Sequence, residues 1–252
     1  MRIARIHTPR GVVGVIEKDE RWVEVDDILA AAPQPTGETF GLTEVELACP
    51  VEPRVIAGIR KNILTNGQTP PLLAFLKTAR GAVGPGDDIL IDPVLGSVNG
   101  EGELALVVGR TCRFLTPDQA RDAVLGFTCA NDVTAMDQLE LDPCLVQAKG
   151  GDGHTPLGPW IETDLDALDV PISVIVNGKP VLTGSTADLA HHAFESLAYL
   201  SRYMTLGPGD VVLTGSPNTA FPLELGHTVS IAIGGIGTLT NPVRPHPHGF
   251  AE

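Results

Sequence analysis

Two glutamates, Glu101 and Glu103, stand two residues apart in Asn99-Gly-Glu-Gly-Glu-Leu-Ala-Leu-Val-Val-Gly109, at the mouth of an apolar run. In a β-strand, alternate side chains share a face, so both carboxylates would reach a single cation. A third carboxylate, Asp132, lies at the end of the β-rich run Gly126 to Val133. Three hard oxygen donors suit Mg²⁺ or Mn²⁺ and leave positions open for water and substrate. Spacing alone keeps a second reading open, because Glu-x-Glu pairs and turn aspartates also decorate solvated acidic surfaces.

Three carboxylates around one divalent ion leave excess negative charge, so a bound anion needs a positive neighbour. Lys149 is the catalytic candidate, in the glycine-rich Val146-Gln-Ala-Lys-Gly-Gly-Asp-Gly-His-Thr-Pro-Leu-Gly158. If burial lowers its pKa, it could also donate a proton. Asp152 shares this loop as a substrate-binding candidate; His154 reads as an exposed loop residue, with an acid/base role as the lesser alternative. The glycines let a backbone approach a ligand closely, but they also serve a plain turn. Thr214-Gly-Ser-Pro217 follows the apolar Val211–Leu213 and offers hydroxyls and amides to a carboxylate, with a simple turn as the other reading. His246 and His248, separated by Pro247, read as tail residues.

Strands are expected at Ile3 to His7, Gly11 to Glu17 and Arg21 to Val25, forming a small N-terminal β domain over 1–49. Residues 31–37 read as a connector, and 50–252 as the catalytic domain. Further strands are expected at Val55–Ile59, Ile89–Ile91, Leu104–Val108, Gly126–Val133, Ile172–Val176, Val211–Leu213 and Val229–Ile233. Thr116-Pro-Asp118 starts a short helix. Ser185-Thr-Ala-Asp188 has the form of a capping box, with Leu189, Ala193, Leu197 and Leu200 following at helical spacing.

With 252 residues and 43% hydrophobic content, the chain can bury a sizeable core. Twenty-eight glycines and 21 prolines, with only 4% aromatics, favour turns and short strands over a helical bundle. A net charge of −14 argues against nucleic-acid and anionic-membrane partners. The N-terminus lacks the apolar stretch of a signal peptide, and no run reaches membrane-spanning length, which favours a cytoplasmic protein. Cys49, Cys112, Cys129 and Cys144 form no C-x-x-C pair and read as reduced thiols.

Taken together, the segments 101–109, 126–133, 148–161, Thr186-Ala-Asp-Leu189 and 206–217 resemble, in order, the fumarylacetoacetate hydrolase superfamily. Within it, they are most similar to the isomerase/decarboxylases of homoprotocatechuate degradation. The resemblance implies an α+β, mostly β fold: a mixed β-roll or sandwich with few helices, usually a homodimer. It implies that Glu101, Glu103 and Asp132 bind Mg²⁺ or Mn²⁺, that Lys149 faces a small-molecule 2-oxo acid, and that Thr214 helps hold its oxo-acid end. The expected chemistry runs through a metal-stabilised enolate.

Two departures shape the expected activity. Hydrolases of this family carry a His-x-x-Glu pair on a lid, where this chain has Gly58-Ile-Arg-Lys-Asn-Ile-Leu-Thr-Asn-Gly-Gln-Thr-Pro-Pro71. The usual Ala-Arg-Asp is Ala135-Met136-Asp137, which leaves Arg60 or Lys61 to receive a second substrate charge. Loss of the water-activating pair favours isomerase/decarboxylase over acylpyruvate hydrolase. A degenerate member that binds metal and ligand without turnover is the remaining alternative.

Overall fold

The computed structural model describes residues 1–247; His248 therefore lies outside the described residues. Among the described residues, two sheets of 13 and five strands pack face to face, with three short α-helices. This is the α+β, mostly β sandwich expected.

The strand Val98–Val108 is the spine of the larger sheet. From Gly102 onward it is buried throughout, as expected of a continuous apolar run flanked on both sides. It pairs antiparallel with Val124–Asn131, Val211–Leu213, Ala220–Leu223 and Thr134–Ala135. One strand thereby gathers residues 101–103, 131–135 and 213–220. Its glycine at 102 packs closely: a Cβ there would come within 3.1 Å of side-chain methyls of both Val174 and Ile231 in the five-stranded sheet, which would have to give way. Glu-Gly-Glu thus turns its glycine to the opposing sheet and its carboxylates the other way.

Strands Arg2–Thr8, Gly11–Lys18, Arg21–Val25 and Pro35–Gly41 form a meander continuing the large sheet beyond Thr155–Glu162. The expected connector at 31–37 thus already enters a strand at Pro35. Ala4, Ile6, Val15 and Trp22 give this region its own apolar cluster.

Two local readings differ from the structure. The Ser185 capping box closes only the 3-10 turn Thr186–Asp188; the α-helix is Ala193–Ser201, capped by His192 through Glu195. A capping box needs only three residues of local bonding, so it does not guarantee that a full helix follows. The strand Thr155–Glu162 was also unexpected, because its two prolines argue against a central strand. It nevertheless lies between Arg2–Thr8 and Val124–Asn131, with an irregular register between Phe127 and Cys129.

Candidate metal centre

Glu101, Glu103 and Asp132 each present a carboxylate oxygen, and these atoms lie within 4.8 Å of one another. Local bonding fixes the arrangement. Asp132 N–H donates to Glu101 O at 2.9 Å, and Glu101 N–H donates to Asn131 Oδ1 at 3.0 Å. Gly215 N–H donates to Glu103 Oε2 at 2.7 Å. Glu103 and Asp132 are buried, whereas Glu101 is partly open.

Two lysines face these acids. Lys149 Nζ lies 2.5 Å from Asp132 Oδ2 and 2.9 Å from Glu101 Oε2. Lys77 Nζ lies 2.5 Å from Asp132 Oδ1 and 3.1 Å from Val133 O, with its side chain wholly buried. Burial, then the charges of Asp132 and Glu101, push the Glu103 carboxyl well above its usual range. Burial would also raise Asp132, but Lys77 and Lys149 outweigh it and hold this carboxyl low.

This donor set fits a hard divalent cation. Three carboxylates against two ammonium groups leave one net negative charge in a buried place. A divalent ion would reverse the sign and favour an anionic chelator. Carboxylate oxygens carry two lone pairs each, so hydrogen bonding to the lysines does not exhaust them.

The acids open into a cavity of about 310 Å³. Lys149, Ser216 and Asn218 share its polar wall; Phe75, Met136 and Leu139 supply apolar surface; Arg60 and Lys61 add two further cations. The Phe75 ring centroid lies 4.7 Å from Lys149 Nζ, a cation–π contact inside the site.

Lys149 and Arg60 are thus brought to the acids' cavity, but Thr214 and Asp152 do not line it. Thr214 is fully buried and its hydroxyl donates to Leu104 O at 2.8 Å; Ser216, two residues on, lines the wall. The Asp152 side chain is 65% exposed, and its Oδ2 lies 3.3 Å from His246 Nε2. The condition set for Lys149, a pKa lowered by burial, is not met. Burial acts in that direction, but Asp132 and Glu101 overcome it and hold the ammonium above its ordinary range.

Lys77 and Asn62 escaped the sequence reading. Lys77 had a signal: in Ala74–Lys77, alternation puts Phe75 and Lys77 inward and leaves Leu76 56% exposed. An outward leucine beside an inward lysine is an inverted pattern that marks a buried charge with a partner. Asn62 had none, since its partners lie more than a hundred residues away.

His154 is buried, not solvated, with Nε2 3.0 Å from Leu90 O. Burial, then the charge of Lys77, holds its pKa down to about 4. The unfolded chain protonates this residue near its ordinary 6.5, whereas the folded chain resists until about 4. Its contribution to stability is therefore intact above about pH 6.5 and falls with acidification, by up to about 3 kcal/mol. Urea unfolding of wild type and His154→Leu between these pH values should show a flatter dependence in the variant; parallel curves would refute this assignment.

The chain belongs to the fumarylacetoacetate hydrolase family: the C-terminal region of that family matches residues 58–244. Residues 1–50 match a second family, described as Rv2993c-like, N-terminal. The structure is similar to 5-carboxymethyl-2-hydroxymuconate delta-isomerase of Mycobacterium smegmatis, with 39% identity, a TM-score of 0.92, and coverage of 97% of this chain and 100% of that one. The sequence is 30% identical to the 4-hydroxyphenylacetate degradation bifunctional isomerase/decarboxylase of Escherichia coli, over 88% of this chain and 50% of the relative. Maleylpyruvate hydrolase of Sphingobium, solved with manganese(II) and pyruvate, aligns at 25% identity and a TM-score of 0.80, covering 98% of this chain and 100% of that one. Members of this family are enzymes, spanning isomerases, decarboxylases and hydrolases. Among the described residues, no helix is long and apolar enough to cross a membrane.

Proposed function

We propose that this chain is a divalent-metal-dependent isomerase or decarboxylase of a 2-oxo acid, with Glu101, Glu103 and Asp132 holding Mg²⁺ or Mn²⁺. One observation carries the reading. Apart from those carboxylates, the ionisable groups lining the cavity among the described residues are Lys149, Arg60 and Lys61, all cationic. The ion, when bound, supplies Lewis acidity to the keto and carboxylate oxygens, easing loss of a proton or of CO₂ next to the keto carbon. Isomerisation and decarboxylation need that electron sink and a group that returns a proton to the enolate carbon, whereas hydrolysis needs a base to activate water.

Lys149 acts through its charge. Held as an ammonium by Asp132 and Glu101, it offsets the substrate carboxylate. The Ser216 hydroxyl and Asn218 amide can hydrogen-bond the acid's oxygens. Phe75 and Met136 give the carbon chain an apolar wall, and Arg60 or Lys61 receives a second negative charge. Similarity to the Mycobacterium isomerase and the Escherichia bifunctional enzyme supports the same reading.

The test is a substrate panel with Mg²⁺ or Mn²⁺, with and without chelator. 2-Hydroxydienoates or β-carboxylated 2-oxo acids should turn over and stop when metal is removed. Rapid cleavage of acylpyruvates alone would replace this reading with a hydrolase. No metal-dependent turnover of any member would leave a binding protein.

A further inference from the structure

The segment 60–73 is a hairpin that supplies Arg60, Lys61, Asn62 and Ile63 to the cavity wall. Its tip is closed by paired 3.0 Å backbone bonds between Thr65 and Gln68, around Asn66 at φ +52° and Gly67 at φ +74°. These are the positive angles that a two-residue Asn-Gly hairpin turn requires. At its base, Arg60 N–H donates to Leu73 O at 2.8 Å. Between tip and base the returning arm runs through Pro70 and Pro71, which have no N–H with which to extend a ladder.

Both arms are bonded to residues 189–191. On the outgoing arm, Ile63 bridges Leu189 and Asn62 O accepts Ala190 N–H at 3.0 Å. The Asn62 side chain accepts His191 N–H at 2.9 Å and donates to His191 O at 2.7 Å and Thr214 O at 2.8 Å. On the returning arm, His191 Nε2 lies 2.8 Å from Pro70 O. A carbonyl only accepts, so Nε2 carries the proton.

We propose that His191 is a positioning residue: its imidazole pins the returning arm at Pro70, fixing the hairpin as a cavity wall and holding Arg60 in register with Leu73. His191 thereby governs how the far end of a long ligand is held, without touching the reacting atoms. The consequence for substrate rests on the proposed function; the anchoring does not.

Hydrogen–deuterium exchange on the full chain tests the anchoring directly, comparing wild type with His191→Ala and His191→Gln. The alanine variant should speed exchange at Arg60, Thr65 and Gln68 by up to about tenfold, the worth of one net hydrogen bond. Amides of Val98–Val108 should be unaffected, and glutamine, which retains an N–H donor, should restore much of the protection. In turnover, His191→Ala should raise KM several-fold for a 2-oxo acid bearing a second carboxylate, with little change in kcat. Inhibition by oxalate, which has no far end, should be unchanged. Wild-type exchange in His191→Ala, or equal loss in His191→Gln, overturns the proposal. Should the hairpin respond while no 2-oxo acid turns over, the anchoring stands and the proposed function fails.

Discussion

Glu103→Gln is expected to eliminate metal-dependent turnover and to weaken Mn²⁺ binding at least about 100-fold, since even outer-shell partners of a metal ligand are worth about 10–100-fold. The same substitution should leave the metal-free protein as stable as wild type or more so. Burial and two neighbouring acids push the Glu103 carboxyl upward, so at neutral pH its ionised form costs stability. In linkage terms, a carboxyl raised in the folded state weakens folding above its unfolded pKa, and the neutral amide removes that penalty. Glutamine is nearly the same shape, and its amide oxygen still accepts from Gly215 N–H. Calorimetric Mn²⁺ titration and thermal unfolding without metal measure the two effects separately. Undiminished affinity would exclude Glu103 as a ligand; retained activity in chelator would sink the metal mechanism.

Lys77→Met should have the largest effect on folding. The ammonium is wholly buried against Asp132, and methionine fills similar space without the charge. Removing one partner of a buried pair costs up to about 3–5 kcal/mol, an upper bound here because Lys149 still faces Asp132 at 2.5 Å. For a chain of this length that lowers Tm by at most roughly 10 °C. The sign of the metal response identifies the cause. Asp132 would lie among Glu101 and Glu103 with one fewer cation, so Mg²⁺ or Mn²⁺ should raise Tm more in the variant than in wild type. A variant of normal stability, or an equal metal response, would contradict the role assigned to Lys77.

Much of the site was legible because strand alternation is local. Glu101 and Glu103 share a face with each other and not with Gly102 because successive side chains alternate, whatever the rest of the fold does. Asp132 was readable for a similar reason: it lies one residue beyond a strand whose apolar run was plain. Thr214 and Asp152 show where that reasoning stopped. Each sits near a chemically suggestive turn, but the direction of the side chain depends on bonds to Leu104 and on proximity to His246. The helix after Ser185 followed the same pattern, since its capping signal was met by a single 3-10 turn.

The charge state of Lys149 shows the division most clearly. Its residue type and glycine-rich setting marked it as a candidate, but the sign of its pKa shift depends on a contest between burial and two acids brought from 17 and 48 residues away. Lys77 reaches Asp132 across 55 residues, and Asn62 meets His191 across 129. The sequence by itself determined the common face of Glu101 and Glu103 and the prevalence of short strands, because alternation and apolar runs act over a few residues, while the ordered family resemblance added Asp132 and the mostly β fold. Only the tertiary structure decided the ion-pairing around Asp132, the set of cations that share the cavity with the acids and the contact of His191 with its hairpin, because electrostatics and hydrogen bonding depend on distance in space.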